Sequence, residues 1–207
     1  MSTIKSKHKT IAISLLHTQA FCEHKLYLEE VKGFKAPPTQ AMLQGLNAHS
    51  QLKTQLLITR DSIISIEEAL LQAESVGREI KKREFMVTGK ILRGRIDEIY
   101  ITPNEITIID DKPGLKVHAS CTNQVFGYCL AFKEQYSPKQ PIFSAIRSHD
   151  TGHEIWKELF SAEQVQRIND LVDRIQGIIQ GTISPIPNQV HEICSSCRFN
   201  YLCKFRS

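Results

Sequence analysis

The spacing of apolar positions changes several times along the chain, and each change marks an expected element. Ile13, Leu16, Ala20, Tyr27 and Val31 recur at helical intervals and predict a first helix. Lys35-Ala36-Pro37-Pro38 ends it, and Thr39 is placed to cap a second helix carrying Met42, Leu46, His49 and Leu56 on or near one face. Ser65 with Glu68 three positions later has the pattern of a capping box, introducing a short helix over residues 66–73. Strand character then takes over, with candidates at 85–87, 91–101 and 106–109 separated by Gly89 and by Pro103-Asn104. Helical spacing returns over 120–135, followed by a strand pair at 142–147 and 153–159. Ser161 and Gln164 form a second capping box ahead of an amphipathic helix with Val165, Ile168, Leu171, Val172, Ile175 and Ile179 on its apolar side. Gly181, Pro185 and Pro187 end that helix, and a cysteine-rich tail begins near His191. Helices around a hairpin sheet give an α/β class with helical flanks.

At 207 residues the chain suits a single domain, 1–207, with a core over about 39–180. Hydrophobic residues make up 41% and charged ones 23%, which excludes a disordered chain. The longest apolar run, Tyr128 to Phe132, is far short of a membrane span, and nothing resembles a secretion signal, so a cytoplasmic protein with no membrane partner is expected. A formal charge of +4 permits nucleic acid as a partner without requiring it.

The sharpest chemical signal is Gly94-Arg95-Ile96-Asp97-Glu98 followed by Ile108-Ile109-Asp110-Asp111-Lys112. If Pro103-Asn104 are the central residues of a hairpin turn, Asp97 and Asp110 fall opposite each other on one face of the sheet. Lys112, two residues on, shares that face with Asp110, and Asp111 points away. Facing like charges need compensation, and two carboxylates beside a lysine suit a hard divalent cation that polarises a phosphate and activates water. The lysine then orients that water or helps to deprotonate it.

The six cysteines are Cys22, Cys121, Cys129, Cys194, Cys197 and Cys203. In a reducing compartment clustered cysteines read as metal ligands rather than disulfides. Cys194, Cys197 and Cys203 need a fourth ligand, for which Cys22 is the best candidate and His24 and His191 are substitutes. Four thiolates suit structural Zn²⁺ or an iron–sulfur cluster, and spacing does not separate the two. Either centre fastens the first helix to the C-terminal tail. Cys121 and Cys129 read as buried small hydrophobes. Lys116, Arg147, Lys157, Arg198, Lys204 and Arg206 are scattered candidates for a DNA track, and Tyr27, Phe199 and Tyr201 for stacking on bases.

Asp97 followed by Asp110-Asp111-Lys112 resembles the PD-(D/E)xK nuclease signature. Gln124-Val125-Phe126-Gly127-Tyr128 matches the Q-x-x-x-Y motif of its RecB-like branch, and His49 matches the histidine that branch carries on a helix ahead of the sheet. With Cys22, Cys194, Cys197 and Cys203, the ordered set resembles the CRISPR-associated Cas-four exonucleases over nearly the whole chain. The resemblance implies a restriction-endonuclease-like core with a central mixed sheet flanked by helices. It implies that His49, Asp97, Asp110 and the Asp111 carbonyl bind Mg²⁺ or Mn²⁺, that Lys112 serves the attacking water, and that Gln124 and Tyr128 position the DNA strand or the acidic groups. It also implies a [4Fe–4S] cluster on the four cysteines. The matching function is exonuclease or endonuclease action on single-stranded DNA or overhangs, trimming prespacer ends with the Cas-one and Cas-two integrase as partners, with room for an oligomer. One departure is Asp110 where the family more often has Glu. A repair or viral exonuclease, a non-catalytic DNA-binding module and a zinc-stapled protein with a fortuitous acidic pair are the competing readings.

Overall fold

The computed structural model describes residues 10–38, 43 and 64–206. The second helix expected after Thr39, with Met42, Leu46, His49 and Leu56, lies outside them. Among the described residues the architecture is a six-stranded mixed sheet with helices packed against it.

The N-terminal segment differs from expectation in one respect. A two-residue strand β1 (Ile11–Ala12) pairs parallel with the start of the second long strand, and the single predicted helix is two, α1 (Ser14–Phe21) and α2 (Glu23–Glu30). The break falls at Cys22, whose backbone is extended at φ −170° and ψ 120°. Apolar spacing did not signal it, because Leu16 and Leu26 on either side are both fully buried.

α3 (Ile66–Val76) starts at Ser65, whose Oγ accepts from the Glu68 N–H at 3.0 Å, and ends at Gly77 in the left-handed region. β2 (Ile80–Thr88), β3 (Leu92–Ile101) and β4 (Ile106–Lys112) form an antiparallel meander. The β3–β4 turn is the expected two-residue one: Thr102 N–H donates to the Glu105 carbonyl at 2.9 Å, and Thr102 Oγ1 accepts from the N–H groups of Asn104 and Glu105. The register from Ile101↔Ile106 to Glu98↔Ile109 therefore follows the one read from the turn.

β4 continues through α4 (Ala119–Tyr136) to β5 (Ile142–Ser148), which pairs parallel with β4, and β6 (Glu154–Leu159) closes the sheet antiparallel to β5. A parallel neighbour needs a crossover, and α4 provides it. α4 packs across β2 to β5, with Val125, Cys129 and Phe132 fully buried among Ile99, Ile101, Ile106 and Ile108. α1 and α5 (Ala162–Gln180) pack on α4 in turn. The full capping box at Ser161 and Gln164 starts α5. Cys121 and Cys129 are buried in this core, as expected. The C-terminal tail holds a short helix α6 (His191–Ser195) and a 3₁₀ turn at Asn200–Leu202. No described helix is long and apolar enough to cross a membrane.

Candidate active site

β3 changes partners along its length. Its first residues, Leu92 and Arg93, pair with β1, and its last, Glu98 to Ile101, pair with β4. Asp97 sits in the gap between these pairings. Toward β2 the ladder is interrupted at the same place, with Arg83↔Glu98 and Phe85↔Ile96 on either side of Glu84. Glu84 adopts φ 53°, a left-handed conformation that costs a non-glycine residue about 1 kcal/mol. Strand pairing thus lapses on both sides of the first acidic residue.

Asp97 and Asp110 are 9% and 1% exposed. The Asp97 carboxylate takes up the slack in the ladder, its Oδ2 accepting from the main-chain N–H of Asp111 at 2.9 Å. Burial, and next the Asp110 charge, push the Asp97 carboxyl up to about 8. Lys112 Nζ lies 2.9 Å from Asp110 Oδ2 and donates to Gln124 Oε1 at 3.1 Å, and Gln124 Nε2 donates to the Tyr128 hydroxyl at 3.0 Å. Burial alone lowers the Lys112 ammonium, but the charge and hydrogen bond of Asp110 outweigh it and hold the group above its ordinary value. Burial followed by the Asp110 charge likewise raises the Tyr128 phenol. Four residues named from the sequence thus form one continuous polar chain, Asp110–Lys112–Gln124–Tyr128, next to Asp97. Their union requires β4 and α4 to be folded together.

The opposite face carries groups that the sequence reading missed or misplaced. Asp111, as expected, points away from Asp110, and there it meets two arginines. Arg83 donates to Glu98 and Asp111, at 2.6 Å each, and Arg147 donates to Asp111 at 2.7 and 3.0 Å and to Glu98 at 2.9 and 3.3 Å. Burial raises the Asp111 carboxyl, but the hydrogen bond and charge of Arg147, with Arg83, hold it below its usual range. Arg147 is therefore no part of a DNA track: its guanidinium is committed behind the sheet. Strand alternation carried the signal, since Glu98 and Asp111 each directly follow a site aspartate. Lys157 and Arg198 are also engaged, with Glu105 and Glu29. Phe199, 1% exposed, is packed rather than available for stacking, whereas Tyr201 is exposed.

A groove opens beside Lys112 and Gln124 and runs past His17, Thr18 and Lys25 to Cys197 and Arg198. His17 is a residue that no spacing in the sequence picked out. Burial, then the charges of Lys112 and Lys25, lower its pKa to about 4, so it lines the groove as neutral imidazole.

The four tail and helix cysteines converge. Cys22, Cys194, Cys197 and Cys203 line one pocket with His24, Asn188 and Phe199. Asn188 N–H donates to Cys22 Sγ at 3.3 Å, and Cys194 Sγ donates to the Asn188 carbonyl at 3.2 Å, which ties the α1–α2 junction to the tail. All four thiols are free of disulfides, and no group of three or more His, Cys, Asp or Glu among the described residues is arranged to hold a single metal ion. His49 lies outside the described residues.

The model of the PD-(D/E)XK nuclease superfamily matches residues 14–204 of the sequence. The chain belongs to the PD-(D/E)XK nuclease superfamily. It is accordingly a nuclease of a class of metal-dependent phosphodiesterases. No curated protein matches the chain. Among solved structures, an exonuclease assigned in Eubacterium rectale is similar at a TM-score of 0.55 and 17% identity, covering 97% of this chain and 93% of its own. A structure named SSO0001 gives 0.45 and 16%, covering 98% and 89%. An alkaline exonuclease of Laribacter hongkongensis, LHK-Exo, in complex with dAMP gives 0.48 and 10%, covering 86% and 91%. The first of these supports the nuclease fold.

Proposed function

We propose that this PD-(D/E)XK nuclease hydrolyses DNA, with single-stranded DNA or overhangs as substrate, and that it works as the Cas-four exonucleases do, trimming prespacer ends for the Cas-one and Cas-two integrase. The observation that carries the catalytic reading is the Asp110–Lys112–Gln124–Tyr128 chain beside buried Asp97, with Lys112 and Gln124 lining an open groove. A retired site has no chemical need for this arrangement, which disfavours the non-catalytic module.

The donor set fits a hard divalent cation. Two buried carboxylates share a face, and the cost of charging both appears in the raised Asp97 pKa. Asp97, Asp110 and the Asp111 carbonyl, with His49, would hold Mg²⁺ or Mn²⁺. An ion held there would supply Lewis acidity toward the phosphate and the attacking water. Lys112 keeps its proton on Nζ under the influence of Asp110, so it donates hydrogen bonds to the attacking water or to a phosphate oxygen as charge develops. Taking a proton from that water would need the neutral amine, which the Asp110 charge disfavours. Gln124 fixes the direction of Nζ, and the Tyr128 hydroxyl fixes the Gln124 amide.

The Cas-four part rests on the four thiols around one pocket. Their donor chemistry fits an iron–sulfur cluster of the [4Fe–4S] type held by Cys22, Cys194, Cys197 and Cys203. Such a centre staples the break between α1 and α2 to the C-terminal tail, closing a long loop whose entropic cost grows only logarithmically with length.

Degradation of end-labelled single-stranded DNA by anaerobically purified protein tests the reading. Products are expected with Mn²⁺ or Mg²⁺ and absent from the Lys112→Ala variant. Cleavage that persists in that variant, or intact DNA in the presence of metal and a full cluster, would sink it.

A further inference from the structure

The buried charges behind the sheet extend the nuclease reading and rest on it. Arg83 on β2, Glu98 on β3, Asp111 on β4 and Arg147 on β5 form a closed ring of hydrogen-bonded ions spanning four neighbouring strands. The side chains of Arg83, Glu98 and Asp111 are 7%, 7% and 1% exposed. Well-packed apolar residues often match or exceed such buried ion pairs in stability, so stability alone is a weak reason for the ring. What it does locally is specific. The Asp111 side chain takes three of the six arginine hydrogen bonds, and the same residue's main-chain N–H is the donor to Asp97.

We propose that Arg83, Glu98 and Arg147 are positioning residues of the nuclease site. By clamping the Asp111 side chain on one face of β4, they fix the main chain of that residue. Its N–H orients the Asp97 carboxylate, and its carbonyl, in the next peptide, is the one expected to face the metal. Glu98 completes the clamp: it accepts from both of the arginines that bind Asp111. Partners that fix metal ligands in this way typically carry about 10–100-fold of metal affinity.

The test is Mn²⁺ binding by calorimetry on the intact protein, read beside hydrogen exchange of the Asp111 amide. Arg147→Met removes the fork and can fail to fold, because it leaves a buried carboxylate short of a partner. Arg147→Lys keeps the charge and loses only the planar fork, and Glu98→Gln keeps the shape. Both milder variants are expected to raise the Mn²⁺ Kd roughly tenfold or more, with faster exchange at Asp111. Lys157→Met, which removes a rim ion pair with Glu105, is expected to leave both readouts unchanged. A Kd within about twofold of wild type in Arg147→Lys and Glu98→Gln, with exchange either faster or unchanged, overturns the positioning role. Wild-type protein that binds no Mn²⁺, or binds it equally well as Asp97→Asn, overturns the nuclease reading and this inference with it. Loss of affinity in Asp97→Asn alone leaves the nuclease reading standing and removes the clamp.

Discussion

The Asp111 N–H donates to Asp97 Oδ2 at 2.9 Å, so the acidic residue of β3 is held by a residue whose own side chain faces the other way. Asp111 therefore joins the face that carries Asp97 and Asp110 to the charged ring behind it.

The raised pKa of Asp97 makes metal-free stability depend on pH. Above the unfolded value of 3.8 the unfolded chain has lost this proton, while the folded protein keeps it up to about 8, so stability falls as pH rises across that interval. His17 works against this at lower pH. Its folded value of about 4 lies below the ordinary 6.5, so it contributes a stability gain as pH rises between them. The Asp97 effect is left uncompensated by His17 from about 6.5 to 8. Denaturant unfolding of metal-free protein should show stability declining in that window, by up to about 1.4 kcal/mol per pH unit. Saturating Mn²⁺ or the Asp97→Asn substitution should flatten the decline, and a flat metal-free profile would contradict the assignment.

Gln124 links two groups, and its variants should separate them. Gln124→Ala leaves Lys112 without its 3.1 Å acceptor and should lower kcat on the order of 10-fold or more, with little change in KM. Tyr128→Phe removes only the hydroxyl behind Gln124 and should cost about 0.5–1.5 kcal/mol of stability with a smaller loss of rate. Steady-state kinetics beside thermal melts distinguish the two. A larger kinetic loss in Tyr128→Phe would reverse the order of the chain.

Two glycines set the approach of α1 and the sheet to the site. A methyl group at Gly127 would collide with Leu16 of α1, and one at Gly94 would come within 2.8 Å of the Tyr128 ring. Either Ala substitution should cost roughly 1–3 kcal/mol. Gly94→Ala should also cut activity, because it displaces Tyr128 and through it Gln124. Melting temperature and turnover measured on both variants check this, and an unperturbed Gly94→Ala enzyme would mean that the ring yields without consequence.

The cysteine pocket makes a spectroscopic prediction. Anaerobic wild-type protein should absorb near ~400 nm through thiolate-to-iron charge transfer. Cys197→Ser should lose much of that absorbance and unfold at lower temperature, since the staple between Cys22 and the tail is weakened. A colourless preparation loaded with zinc would assign the four thiols to a structural site instead.

Much of the site was legible in the sequence because its parts are local. Pro103-Asn104 forces a two-residue hairpin, and a two-residue hairpin fixes which residues of β3 and β4 face each other. Asp97, Asp110 and Lys112 therefore shared a face before any packing was known. Alternation sent Asp111 away from them, and the four-residue spacing of Gln124 and Tyr128 stacked them on one helix face. The capping residues Ser65 and Ser161 likewise marked helix starts through hydrogen bonds that span three residues at most.

Tertiary structure alone decided what those faces meet. The parallel pairing of β4 with β5 sets Arg147 beside Asp111 across thirty-six positions of sequence, turning a basic residue read as part of a DNA track into a half-buried partner of Asp111 and Glu98. Packing of α1 on α4 brings His17 to the groove beside Lys112, and the extended backbone at Cys22, hidden within helical spacing, lets that thiol share a pocket with the tail. Hydrogen-bonding rules and side-chain periodicity act over a few residues, so a sequence discloses them. Long-range partners are selected by burial and charge compensation in the folded chain, and these exist only once the core has formed.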